Sequence, residues 1–111
     1  VVYDEKGLEL MNELHAKGKN VILAGAHMAN WEMYAMTFSR RIAHKTMAIY
    51  KKLNDPVIDE AMRDSRERMG LVMTEIVECK KWMDEHVANG GEPVAVGFGF
   101  DQSPQKPERA W

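Results

Sequence analysis

At 111 residues the chain can hold one domain with a sizeable core, yet it is small for an enzyme that handles two substrates. Its charged residues, 29% of the total, nearly cancel to a formal net charge of -2, so no global field favours nucleic acid or a strongly anionic partner. The lone Cys79 excludes an intrachain disulfide, and no apolar run approaches the roughly 20 residues needed to cross a bilayer.

The chain opens on Val1-Val2-Tyr3, which suits a short edge strand, and then Leu8, Met11, Leu14 and His15 recur at helical spacing until Gly18 stops them. His15 reads as a helix-surface residue. Lys19 and Asn20 turn the chain into an unbroken run from Val21, the composition of a strand covered on both faces. Trp31, Ala35, Phe38 and Ile42 then mark a helix with Asn30 as its N-cap and Arg40, Arg41 and His44 at its basic end.

Thr46 to Tyr50 reads as a second strand. It is followed by Lys51, Lys52 and then Asn54-Asp55-Pro56, an N-cap with Pro at the first helical position. Val57, Ile58, Ala61, Met62, Ser65 and Met69 give the next helix an apolar face, expected to be buried, and Gly70 ends it. Arg63, Arg66 and Arg68 alternate with acids on that helix, a mixture usual for a solvated surface; Arg66 stands out as a cation available to an anion. Leu71 to Thr74 suits a third strand ending at Glu75. Cys79, Trp82, Met83, His86 and Val87 mark a helix, with Cys79 a small core residue and His86 a structural histidine. Val94 to Phe100 is a fourth strand whose two glycines predict a bulge or a close backbone approach. A loop rich in Pro and charge runs from Asp101. The nine methionines are expected to fill the core, some of them as candidates to line an acyl groove.

Alternating strands and helices with short connections predict an α/β fold: a mainly parallel sheet with helices on its faces. Ligands gather beyond the carboxyl ends of such strands. There the order places His27 with Glu32, Lys51 with Lys52, Glu75, and Asp101, so groups suited to acid, base and anion chemistry share one rim.

His27 falls in a strand-to-helix turn and Glu32 in the helix's first turn. The positive end of the helix dipole disfavours imidazolium and favours the carboxylate, the resting state of a general base beside an acid. Across a tight turn Glu32 can accept from one ring nitrogen while the other faces a hydroxyl. The competing chemistries have less support. Histidines 15, 27, 44 and 86 lack zinc-type spacing, so no metal site is expected. Ser39, Ser65 and Ser103 lack a glycine-flanked elbow, and no basic stripe interleaved with aromatics suggests nucleic acid.

The segment Ala26-His27-Met28-Ala29-Asn30-Trp31-Glu32 resembles the His-x4-Glu motif of the bacterial lipid A biosynthesis acyltransferases, the late lauroyl and myristoyl transferases. Tyr50 to Asp59 and Asp101-Gln102-Ser103-Pro104 are similar to later stretches of that family, in the same order. The resemblance implies a glycerolipid-acyltransferase-like αβα core, of which residues 1–111 form a single, central piece of a longer catalytic domain. It implies O-acyl transfer, without cofactor or covalent acyl-enzyme, from an acyl carrier protein thioester to a hydroxyl of a lipid A precursor. His27 would be the base and Glu32 its support. Asn30, Lys51, Lys52, Arg66 and Asp101 would bind substrate or shape the site, and Lys51, Lys52 and Arg66 are candidates to stabilise the oxyanion. The full-length protein would work at the cytoplasmic face of the bacterial inner membrane, in contact with the membrane surface, while this piece alone would be soluble and could be inactive.

The chain departs from the family pattern where Met28 and Ala29 stand in place of the common Phe and Gly, and where Tyr50-Lys51-Lys52 stands in place of Tyr-Arg-Pro. Lysine lacks the forked donors of arginine, which weakens two-point anion recognition. Two other readings compete. Glycerophospholipid acyltransferases of the same superfamily carry His-x4-Asp, and a non-catalytic α/β binding or assembly module could keep the motif for structural reasons.

Overall fold

The computed structural model describes residues 2–101. They alternate helix and strand throughout: α1 (Glu5–Ala16), β1 (Val21–Gly25), α2 (Trp31–Phe38), β2 (Lys45–Tyr50), α3 (Pro56–Glu67), β3 (Val72–Glu75), α4 (Cys79–Ala88) and β4 (Val94–Gly99). The strands form one all-parallel sheet in the order β1-β4-β2-β3, so the expected α/β architecture is present.

Local chemistry sets the helix starts. Asp4 accepts from the Gly7 amide at 2.8 Å, Asn30 from the Met33 amide at 3.3 Å, and Asp55 from the amides of Val57 and Ile58. Such caps contribute about 1 kcal/mol each. Pro56 follows its cap at the first helical position, where its missing N–H costs nothing. Gly18 and Gly70, at φ 67° and 94°, release α1 and α3 through the left-handed region that other residues avoid.

The two inner strands carry the core. Ala95 faces α1 and α2, packing with Met11, Phe38 and Ile42, while Val94, Val96 and Met47 face the half-buried Cys79, Trp82 and Met83 of α4. Apolar side chains on alternate positions of β4 thus serve opposite layers, as the period-2 geometry of a strand requires.

Several expectations are corrected. β1 is an edge strand, not one covered on both faces, and Ile22 is 66% exposed. Val2 and Tyr3 form no strand, and Val1 lies outside the described residues. α2 ends at Phe38, four residues before Ile42, which is buried from the following turn. β4 pairs residue for residue from Val21 and Ala95 to Gly25 and Gly99, without a bulge.

The largest correction is α3. Val57 and Ile58 are 73% and 54% exposed, and Asp59 faces inward. The Asp59 carboxylate accepts from the Leu53 amide at 2.8 Å and from the Tyr50 hydroxyl at 3.5 Å, and the Arg63 guanidinium lies over the Tyr50 ring. Specific polar partners therefore turn the charged side of this helix toward the protein.

Candidate active site

The carboxyl ends of β1 and β4 lie side by side, and the site grows from that pairing. Gly25 sits opposite Gly99, and the Phe100 amide donates to the Gly25 carbonyl at 2.9 Å. One step further along, the His27 amide donates to Asp101 Oδ2 at 2.8 Å. The Asp101 side chain thus takes the acceptor's part just past the end of the ladder.

The same carboxylate reaches the His27 ring, with Oδ1 at 2.7 Å from Nδ1. A carboxylate only accepts, so Nδ1 carries a proton, and in the neutral imidazole the lone pair then lies on Nε2. Both side chains are about one-third exposed, at 35% and 34%. The hydrogen bond from the ring, aided by the one from the His27 amide, holds the Asp101 carboxyl below its usual range. Trp31 meets the imidazole edge-on, with centroids 4.8 Å apart and planes at 85°. Gly99 supplies the space: a Cβ there would come within 2.5 Å of His27 Cε1. The expected close backbone approach is therefore at Gly99, and what approaches is the imidazole.

Between His27 and α2 the chain turns sharply. Met28 donates its amide to the Ala26 carbonyl at 2.8 Å, and Ala29 takes φ 49°. This left-handed conformation costs a residue with a Cβ of the order of 1 kcal/mol. It gives a conformational reason for glycine at this position, where this chain carries alanine.

Glu32 was expected to support the imidazole; it bonds Arg66 instead. Arg66 Nε and Nη2 lie 2.7 Å and 2.6 Å from Glu32 Oε1, joining the start of α2 to α3. The Arg66 side chain is 17% exposed, so this pair is partly withdrawn from water and stronger than a surface contact. Asn30 is engaged as the α2 cap. Lys51 and Lys52 follow β2 at the rim, both exposed, with Lys52 Nζ 3.9 Å from Glu75 Oε1. The rim thus brings His27 and Asp101 into contact and Glu32 and Arg66 into contact, as two separate pairs. Gln102, Ser103 and Pro104 lie outside the described residues.

Beneath α2 lies a cavity of about 370 Å³ lined mainly by apolar groups. Its sheet side includes Ala48, Ala95, Gly97 and Gly99, whose small side chains leave room under Tyr34 and Phe38. It extends along the strands from the level of Thr46 and Ala95 to Gly25, Gly99 and His27 at the carboxyl rim. A cavity of this size accommodates a medium-sized apolar ligand.

The remaining histidines serve packing. His86 bonds the Glu92 carbonyl at 2.7 Å and stacks on Trp82, while His44 bonds the Lys19 carbonyl at 3.0 Å and meets the His15 ring. Among the described residues no three His, Cys, Asp or Glu side chains group to hold a metal, and no helix is long and apolar enough to cross a membrane. Sequence reasoning named Asp101 but not its bond to His27, and it marked the glycines of β4 without linking Gly99 to the ring.

The family model described as bacterial lipid A biosynthesis acyltransferase matches residues 3–94, well over half of the chain. That span contains His27, Glu32 and Arg66 and stops before Asp101. A comparison with curated proteins returns no match.

Proposed function

We propose a catalytic cycle for this chain, which belongs to the bacterial lipid A biosynthesis acyltransferase family and is an acyltransferase acting with an acyl donor and a lipid acceptor. The donor is an acyl carrier protein thioester, and the acceptor is a hydroxyl of a lipid A precursor. His27 Nε2 removes the hydroxyl proton as the oxygen attacks the thioester carbonyl. The new C–O bond forms, the tetrahedral intermediate collapses, and the C–S bond breaks. The departing thiolate takes the proton from the imidazolium, which returns His27 to its starting state. No acyl group is attached to the protein at any stage.

The observation that carries this reading is the position of His27 at the rim end of the apolar cavity beneath α2. A hydrocarbon chain lying over Gly97 and Ala95 would bring its carbonyl toward the imidazole. Fixing donor and base together in this way removes entropy from the barrier before reaction. Lys51 and Lys52 offer cationic charge for anionic groups of the acceptor or carrier, and Arg66, fixed by Glu32, is a further cation for charge developing on the carbonyl oxygen. Catalysis takes place at the cytoplasmic face of the inner membrane, where a lipid acceptor is held.

The test is acyl transfer by the intact enzyme from acyl carrier protein to a lipid A precursor. His27→Ala lowers the rate at least about a hundredfold while the protein stays folded. A folded His27→Ala protein with the parent rate would overturn the assignment of His27 as base.

A further inference from the structure

Gly97 and Gly99 share with Ala95 the face of β4 that looks toward α2, and of the two glycines only Gly99 has its space filled by another side chain. We infer that Gly97 is the residue that sets which acyl chains are accepted: its missing side chain is the passage by which a hydrocarbon tail reaches the far end of the cavity at Thr46 and Ala95. The inference rests on the reading of that cavity as the acyl subsite and names the position that makes it selective.

A glycine inside a strand forgoes side-chain packing and loses more entropy on folding than any other residue, so its presence calls for a cause. The usual causes are absent at Gly97. The glycines with positive φ are Gly18, Gly70 and Gly90, and β4 passes Gly97 without a bulge, paired with Leu23 on one side and Ala48 on the other. No side chain crowds it either. Among the described residues a Cβ at Gly97 would meet only the Met47 carbonyl oxygen, at 3.8 Å, an ordinary contact. Tyr34 and Phe38 line the same cavity, yet neither comes within 4 Å of where that Cβ would stand. What the missing side chain leaves is room in the cavity, and a close approach by a ligand is the remaining reason for a glycine in a strand.

The position is midway along the cavity. Ala95, Gly97 and Gly99 follow one another on one face of β4, with Thr46 beside Ala95 and the His27 imidazole against Gly99. From Ala95 to Gly99 the strand rises about 13 Å at about 3.3 Å per residue. A zigzag of C–C bonds about 1.5 Å long at about 111° advances roughly 1.25 Å per bond, so a chain of about 10–12 carbons fills that length. The far end is closed by Thr46, Phe38 and Leu71, all buried. A side chain at Gly97 would interrupt the path at half its length, about five bonds from the mouth.

The experiment measures kcat/KM for the intact parent enzyme, Gly97→Ala, Gly97→Val and His27→Ala with two saturated acyl carrier protein thioesters, one of about 6 carbons that stops short of Gly97 and one of about 12 that passes it. The parent prefers the longer chain. In Gly97→Ala the long-to-short ratio of kcat/KM falls at least about tenfold, and it falls further in Gly97→Val, because a filled apolar pocket rejects the chain that no longer fits. Gly97→Ala melts within a few degrees of the parent, since its Cβ meets only that one ordinary contact. An unchanged ratio in a folded Gly97→Ala, whether both donors keep their rates or lose them equally, with His27→Ala inactive, would overturn the inference and leave His27 as base. A parent that prefers the shorter chain would overturn it as well. A parent that transfers neither chain, or a fully active His27→Ala, would instead remove the reading on which the inference rests.

Discussion

The imidazole of His27 occupies the volume that a side chain on Gly99 would fill: a Cβ on Gly99 would stand 2.5 Å from His27 Cε1 and 3.2 Å from Nδ1. The neighbouring ring atoms belong to a side chain that can rotate, so a methyl group there displaces the ring and spares the strand. Stability and activity should therefore separate at this position.

Gly99→Ala is expected to melt within a few degrees of the parent and to lose at least about tenfold in kcat, since displacement of a base by about 1 Å can cost that much or more. Thermal unfolding and steady-state acyl transfer, measured on the same preparation, check it. Parent activity in Gly99→Ala would mean that the ring's place against β4 is immaterial to the chemistry.

The Asp101 carboxyl is held below its ordinary value first by the hydrogen bond from the His27 ring and then by the one from the His27 amide. A carboxyl whose folded value is lowered contributes stability above its unfolded value, about 4, and loses that contribution as pH falls through the folded one. The grip on the turn should thus weaken as pH falls through the lowered folded value. NMR titration of the Asp101 carboxyl carbon reads the midpoint directly, and His27→Ala should raise it. A midpoint at or above the ordinary carboxylate range, or one indifferent to His27→Ala, would contradict the hydrogen-bonded arrangement.

The strands were legible because apolar runs bounded by Gly, Asn and charge leave few other readings, and the shared rim followed from chain order. Which strand lies at the edge was not legible, because β1 has the composition of an inner strand and only sheet order reveals that Ile22 lacks cover. The orientation of α3 failed for a related reason. Val57, Ile58 and Met62 recur at helical spacing, but the Leu53 amide and Tyr50 hydroxyl draw Asp59 inward, and such partners leave no periodic trace.

The site was half legible. His27 and Glu32 are close in sequence, which made their pairing the natural expectation. The register of β1 with β4 brings in a carboxylate 74 residues away, while Arg66 engages the nearer one. Local spacing proposes partners, and sheet pairing decides among them.

Ala29 offers a test confined to the turn that carries the imidazole into α2. Its φ of 49° places a Cβ where only glycine rests without strain, while the amides on either side stay in place, Met28 bonded to the Ala26 carbonyl and Met33 to the Asn30 side chain. Relief of left-handed strain gains about 1–2 kcal/mol, and the added freedom of glycine in the unfolded chain returns about 0.4–1 kcal/mol of that. Ala29→Gly should therefore raise stability by about 0.5–1 kcal/mol, with kcat changed less than about threefold because Asp101 still fixes the ring. Chemical denaturation of parent and variant at equal denaturant slope measures it. A destabilised Ala29→Gly protein would show that the turn is relaxed with alanine and that glycine has no conformational advantage there.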